Sequence, residues 1–260
     1  MTVNNMGSSM KRPFVVEQGR QIPVQCPEIP EPAVYSCPDC GTLTVFCRAK
    51  PGIIAKYLQY TPFEFVSDNF IVYVSDMTNC RFEQGGFFDM GIVIPVRYGD
   101  VYGGNYLFEY EDSEHGICAG RELWGYPKKY AAGTLEKKDG KIIATGTKRG
   151  VEIIHLELDL NAPPQKPFPQ IQLKSHLQLH TIPAPDGPYI FSQRLLSRDT
   201  SADFQGKSRV EGAGACVLQG VVRNPLDEFA PEEVYGAVYE VGDFNSTADR
   251  GWAKVLATII

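Results

Sequence analysis

Apolar residues along this chain recur mostly in short runs rather than at helical spacing. Residues 42–47 (TLTVFC), 70–74 (FIVYV), 91–96 (GIVIPV), 141–146 and 151–160 (VEIIHLELDL) are brief, rich in β-branched side chains and bounded by Gly, Pro or Asp, which predicts strands. The run 171–180 (IQLKSHLQLH) alternates throughout and places Lys174, His176, Gln178 and His180 on one polar face, looking to solvent or into a lumen. Helical patterns are few. Residues 51–60 (PGIIAKYLQY) have proline near the start and apolar residues at helical spacing, and 231–241 offers acidic residues in a first turn. The proline-rich 162–169 (APPQKPFP) lies between two predicted strands and reads as a crossing loop. The expected fold class is α+β with strand in excess, and many linked short strands favour a sandwich or a barrel.

At 260 residues the chain can bury a substantial core. Residues 1–12 are polar and read as a flexible N-terminus, with 13–260 as a single domain. Hydrophobic residues make up 43% and charged residues 22%, an ordinary globular composition. Twenty-five basic against thirty-one acidic residues leave a net charge of -6. No basic cluster interleaves with aromatics, so no nucleic-acid partner is expected. No apolar stretch approaches the length of a membrane span and the N-terminus lacks a secretion pattern, so no membrane partner and a cytoplasmic location are expected.

The seven cysteines are Cys26, Cys37, Cys40, Cys47, Cys80, Cys118 and Cys216, an odd number with several inside apolar runs, which suits a reducing compartment and buried free thiols. Cys37 and Cys40 form a CPDC motif that could join Cys26 and Cys47 around zinc, but the second close pair of a ribbon or finger is missing. His155, His176 and His180 could be gathered into a metal site, but the last two are roughly 13 Å apart along one strand face, too far to ligate one metal without a bend. No metal is expected. GxGxxG, P-loop and GxSxG motifs are all absent, which removes the loops of nucleotide chemistry and of the hydrolase elbow.

Residues 120–129, GRELWGYPKK, end in a lysine pair behind a proline and two aromatic rings. Free lysine has a pKa near 10.4, so roughly one in 2500 is neutral at pH 7 and able to attack a carbonyl. Burial beside Trp124 and Tyr126 would lower that pKa by desolvation. On an extended segment Lys128 and Lys129 point to opposite faces, which weakens repulsion between them, so desolvation is expected to dominate. Only one of the two then faces a pocket. A solvated charge patch is the competing interpretation of the pair. Arg121 and Glu122 form either a structural ion pair or a polar group aimed at substrate, and Asp89 is either a loop-end carboxylate or a pocket acid.

The motif resembles the acetoacetate decarboxylase superfamily, which shows Gly-Arg-Glu-Leu, two variable residues, then Tyr-Pro-Lys-Lys. DMGIVIPV from Asp89 and GNYLFEY from Gly104 are similar to flanking family segments. So are LHTIPAPDGP from Leu179 and FAPEEVYGAVYEVGDF, which resembles the family's C-terminal helix region. The resemblance implies a mainly antiparallel, barrel-like β core with a few peripheral helices, assembled as a homo-oligomer. It also implies Lys128 as the Schiff-base amine and Lys129 as the neighbour that lowers its pKa; acetoacetate decarboxylase is itself a standard example of lysine activation. Asp89, Arg121, Glu122 and Tyr126 become the substrate-binding candidates, the substrate a small oxo acid, and no organic cofactor is implied. Two departures stand out. The family's pocket glutamate appears as Asp89, one methylene shorter, and its pocket arginine falls near Cys40. Relatives with such departures resemble aldolase-dehydratases or hydratases acting on 2-oxo acids such as pyruvate. The expected function is decarboxylation of a 3-oxo acid such as acetoacetate through a lysine imine. The alternatives are the 2-oxo acid chemistry and a non-catalytic barrel that binds a small ligand.

Overall fold

Fourteen strands and two short α-helices make up the computed structural model over the described residues, 36–81, 86–247 and 250–260. The flexible start expected at 1–12 and Cys26 lie outside them. In chain order the elements are β1 (Ser36–Arg48), α1 (Ile53–Leu58), β2 (Glu64–Phe65), β3 (Asn69–Met77), β4 (Phe87–Tyr98), β5 (Val101–Glu111), α2 (Glu114–Trp124), β6 (Lys128–Tyr130), β7 (Ala132–Lys138), β8 (Lys141–Lys148) and β9 (Val151–Asp159). They continue with β10 (His176–Pro183), β11 (Ile190–Arg198), β12 (Phe204–Leu218), a 3-10 turn at Leu226–Phe229, β13 (Glu233–Asn245) and β14 (Lys254–Thr258).

The strands hydrogen-bond in the order β14-β11-β10-β5-β4-β3-β1-β13-β12-β9-β8-β7, with β2 on β4 and β6 on β5. Pairing is antiparallel except at β10–β5 and β5–β6. The path does not close on itself. Instead β7, β8 and β9 lie over one face of β1, β3 and β4, and a layered core takes the place of a sealed barrel. Alternation explains which residues fill it. Leu43, Val45, Val72, Val74, Met90 and Ile92 point from one layer, and Ile142, Ala144, Ile154 and Leu156 from the other, all fully or nearly fully buried. Truncating one such isoleucine to alanine costs about 2–5 kcal/mol, since a close-packed interior relaxes only partly around the void. The opposite face of β1, β3 and β4 is left for the site.

Five predicted strands and the helix within 51–60 are present at their expected positions. Residues 231–241 are a correction. From Glu233 on they belong to β13, which is paired on one edge with β1 and on the other with β12, and two ladders outweigh a weak helical preference. The acidic residues taken for a helix start meet Arg48 instead, Glu232 and Glu233 each at 3.4 Å. In 171–180 the strand begins only at His176, and Leu177 and Gln178 are both buried. Helix α2 arises where none was expected, capped at its start by Ser113, whose hydroxyl accepts from Gly116 N–H at 3.0 Å.

The cysteines also require a correction. Cys37 and Cys80 form a disulfide, in which Cys40, Cys47, Cys118 and Cys216 take no part. Arg81 N–H donates to Ser36 O at 2.8 Å, laying the segment after β3 against the start of β1 and bringing the two sulfurs together. That bond removes Cys37 as a zinc ligand. Among the described residues no helix is long and apolar enough to cross a membrane.

Candidate active site

Register brings four charged side chains together. Strand β6 runs parallel to β5 with Lys128 beside Glu109, and Glu111, two residues on, shares that face. Across the β4–β5 ladder Asp89 is the partner of Glu111, and across β3–β4 Ser75 is the partner of Asp89. Lys128 Nζ therefore meets Asp89 Oδ2 at 2.7 Å, Glu109 Oε1 at 3.3 Å and Glu111 Oε2 in a shorter contact. The lysine side chain is 9% exposed and those of Glu109 and Glu111 are 3% and 0%. The other oxygen of Asp89, Oδ1, accepts from the Tyr73 hydroxyl at 2.7 Å.

Helix α2 makes room for this cluster. A Cβ on Gly120 would stand 2.5 Å from Lys128 Cδ, and one on Gly116 would strike the Glu111 carboxylate. The two glycines, four apart, turn one bare face of the helix to the site. Gly125, at φ 73°, then stops the helix in the left-handed conformation, and Pro127 leads into β6. Arg121 Nη1 donates to Lys128 O at 3.2 Å and ties β6 back to the helix.

The charge state of Lys128 overturns the sequence expectation. Burial does push its pKa down, as predicted. The charges of Asp89, Glu109 and Glu111, with the hydrogen bond to Asp89, more than offset that and hold it well above the ordinary lysine value. The resting amine is an ammonium ion. Glu109 moves the opposite way for a carboxyl. Burial first, then the charges of Asp89 and Glu111, raise its pKa well above the ordinary value despite Lys128. The interacting groups titrate as a set, so the site is best described by its protons in common.

A cavity of about 460 Å³ opens from this cluster. Its walls include Phe87, Trp124, Phe204 and Phe244. A second polar group lies on β10 and β11, where His176 and Arg198 are cross-strand partners. The Tyr126 hydroxyl lies 2.7 Å from His176 Nδ1, and the Tyr106 hydroxyl 3.3 Å from Nε2. Arg198 hydrogen-bonds Tyr126 and sets its Cζ 3.9 Å from the centroid of the Trp124 ring. Burial, reinforced by Arg198, lowers the His176 pKa to about 3, so its ring is neutral at pH 7.

Of the residues singled out from sequence, Asp89, Tyr126 and Lys128 line the cavity together with Trp124. Arg121 and Glu122 do not; both are exposed on the last turn of α2. The Glu122 carbonyl accepts from His180 Nε2 at 2.8 Å. Lys129 points away, as alternation required, and donates to Asn224 Oδ1 at 3.0 Å and Arg223 O at 3.2 Å. Its pKa is lowered, by burial first and then by Arg121. His155 sits between Glu152 and Glu157 at 2.9 and 3.1 Å, so the three histidines share no site. Glu109, Glu111, Tyr106 and Arg198 were not foreseen. Glu-Tyr-Glu at 109–111 did carry a signal, because two carboxylates at period two in an apolar strand must share one face. Arg198 has no local motif.

Residues 21–256 match the family model described as acetoacetate decarboxylase (ADC). Acetoacetate decarboxylase of Burkholderia vietnamiensis is 41% identical over 87 residues, 30% of this chain and 34% of the relative. The match thus spans about a third of that relative's length. Among solved structures, an acetoacetate decarboxylase is similar with a TM-score of 0.82 at 19% identity, covering 96% of this chain and 100% of that one. An enduracididine biosynthesis enzyme complexed with pyruvate is similar with a TM-score of 0.65 at 14% identity, covering 86% of this chain and 90% of its own. The structural likenesses show a shared fold, and the match across residues 21–256 shows that the chain belongs to the acetoacetate decarboxylase family.

Proposed function

We propose that the chain is a lyase that decarboxylates a 3-oxo acid such as acetoacetate through an imine on Lys128. The observation that carries this is a buried primary amine at a cavity wall, within reach of three carboxyl groups, of which Asp89 and Glu111 can take its proton and return it. A proton passes from Nζ to Asp89 or Glu111, and the neutral amine attacks the ketone carbon. Glu109, whose carboxyl burial pushes well above the ordinary range and so toward the acid form, is placed to protonate the departing hydroxyl as water leaves and the iminium forms. The iminium accepts the electron pair of the breaking carbon–carboxylate bond, and carbon dioxide departs. The enamine takes a proton at carbon, and water releases the ketone and the amine. One proton is consumed per turnover.

Borohydride trapping tests the covalent step. Incubation with acetoacetate followed by reduction should add the ketone-derived mass at Lys128, with carbon dioxide released in unreduced samples. A Lys128→Ala variant that keeps full turnover would overturn the mechanism. A second chemistry keeps the imine but lets a pyruvate-derived enamine attack an aldehyde. The same carboxylate cluster favours it, because aldol addition needs a proton shuttle at the amine. Carbon dioxide release from a 3-oxo acid against carbon–carbon bond formation from pyruvate and an aldehyde separates the two. No adduct at Lys128 with either acid would favour a barrel that only binds ligand.

A further inference from the structure

We infer that Arg198 binds the carboxylate of the acid substrate and sets the preference of the site for acids over neutral ketones. For its substrate the inference rests on the imine chemistry proposed above. It begins from a mismatch of charge. Around Lys128 stand Asp89, Glu109 and Glu111, and even with Glu109 protonated two carboxylates face one ammonium. An anionic substrate entering that corner meets net negative charge at short range, where a dry environment strengthens repulsion. Its acid group needs a separate cation.

Three cations line the cavity among the described residues: Lys128, Lys174 and Arg198. Lys128 is held by its carboxylates and Lys174 is exposed, whereas Arg198 is 7% exposed. A guanidinium stays charged at any accessible pH and carries five donors in one plane. Trp124 covers its face at 3.9 Å, and a guanidinium stacked in this way directs its N–H donors sideways, in its own plane. Tyr126 takes part of that capacity. A carboxylate suits the plane because its two oxygens can accept in parallel. The neighbouring His176 is neutral, so it brings no competing charge and can hold Tyr126 in place through Nδ1.

The test compares adduct formation by an acid and by a neutral ketone of similar size, acetoacetate against 2-butanone, in the wild-type chain and in Arg198→Met and Arg198→Lys. The expected result is that the acid-to-ketone ratio of trapping efficiencies falls at least tenfold in Arg198→Met and partly recovers in Arg198→Lys. A purely structural role would lower both efficiencies together and leave the ratio intact. An unchanged ratio in a folded Arg198→Met chain overturns the inference. If Arg198→Met does not fold, or if no ketone gives an adduct, the wild-type chain still decides. Butanoate should bind it and shift the Arg198 side-chain resonances by NMR while 1-butanol does not. Equal effects of the two compounds would sink the assignment of Arg198, whereas absence of any adduct with butanoate binding intact would sink only the imine chemistry.

Discussion

Asp89 holds Lys128 with one oxygen and Tyr73 with the other, both at 2.7 Å. The carboxylate is thereby fixed in a position from which it can accept a proton from Nζ. A state with ammonium and carboxylate and a state with amine and carboxyl contain the same number of protons, so generating the nucleophile needs none from solvent. Adduct formation should therefore be nearly flat in pH around neutrality. A lone desolvated lysine would instead show a rise through its own pKa. In Glu111→Gln one raising charge is gone while burial remains, so the Lys128 pKa falls and a rise in adduct formation should emerge toward the alkaline end of the range. Initial rates of borohydride-trappable adduct from pH 5 to 10 check this. A wild-type curve that climbs steeply near pH 6, or a variant indistinguishable from wild type, would count against the shared-proton account. The stability signs follow from the same shifts. Both Lys128 and Glu109 have raised pKa values in the folded chain. Each therefore stabilises below its unfolded value and loses that contribution as pH rises through the folded one, in alkali for Lys128 and from about pH 4.3 upward for Glu109.

Gly120 bears on the same amine from the helix side. An added methyl would lie 2.5 Å from Cδ and 2.7 Å from Cε of Lys128. The lysine cannot retreat without leaving its carboxylates. Alanine gains up to about 1 kcal/mol in helix propensity, but overpacking costs about 1–3 kcal/mol. Gly120→Ala should lower the melting temperature slightly and cut adduct formation by about 100-fold through misplacement of the nucleophile. A variant with wild-type trapping rates would show that the helix yields instead.

Much of this site could be read from residues, and what could not has identifiable causes. The strands at 42–47, 70–74 and 91–96 declare themselves because half their side chains enter the core. Opposite facing of Lys128 and Lys129 follows from an extended backbone behind Pro127. The charge on Lys128 was not legible, because it depends on Asp89 and Glu109, thirty-nine and nineteen positions away, meeting it through two ladders. Helix α2 was hidden by Gly116 and Gly120, the residues that give the site its space. Residues 231–241 went the wrong way because β13 owes its form to strands β1 and β12 rather than to its own pattern.

Lys129 is next to the nucleophile in sequence but turned from it in space. Its ammonium donates to Asn224 Oδ1 and Arg223 O, and it is absent from the cavity wall. Asn224 also accepts from the Tyr110 hydroxyl at 3.0 Å. Lys129→Gln should cost at most about 1 kcal/mol, the net worth of a partly exposed hydrogen bond, and change adduct formation at Lys128 by no more than about threefold, since a half-exposed charge on the opposite face is screened. Thermal melts and trapping rates measure both. A loss of tenfold or more would return Lys129 to the role the family resemblance implied.

The size of the cavity bears on which acids it accepts. At about 460 Å³, and with roughly 30 Å³ per water-sized group, it has room for on the order of fifteen such groups, whereas acetoacetate has about seven heavy atoms. Much of the lining beyond Lys128 and Arg198 is aromatic, with Phe87, Phe204 and Phe244 contributing. Each methylene buried there stabilises the complex by about 0.8 kcal/mol. Lengthening the alkyl group of a 3-oxo acid from one carbon to four should therefore lower KM by more than tenfold, with kcat little changed because the added contacts are made equally before and during bond breaking. Steady-state kinetics across that series decide it. A KM that rises with chain length would mean that the cavity is filled in solution and that the smallest acid is the fitting one.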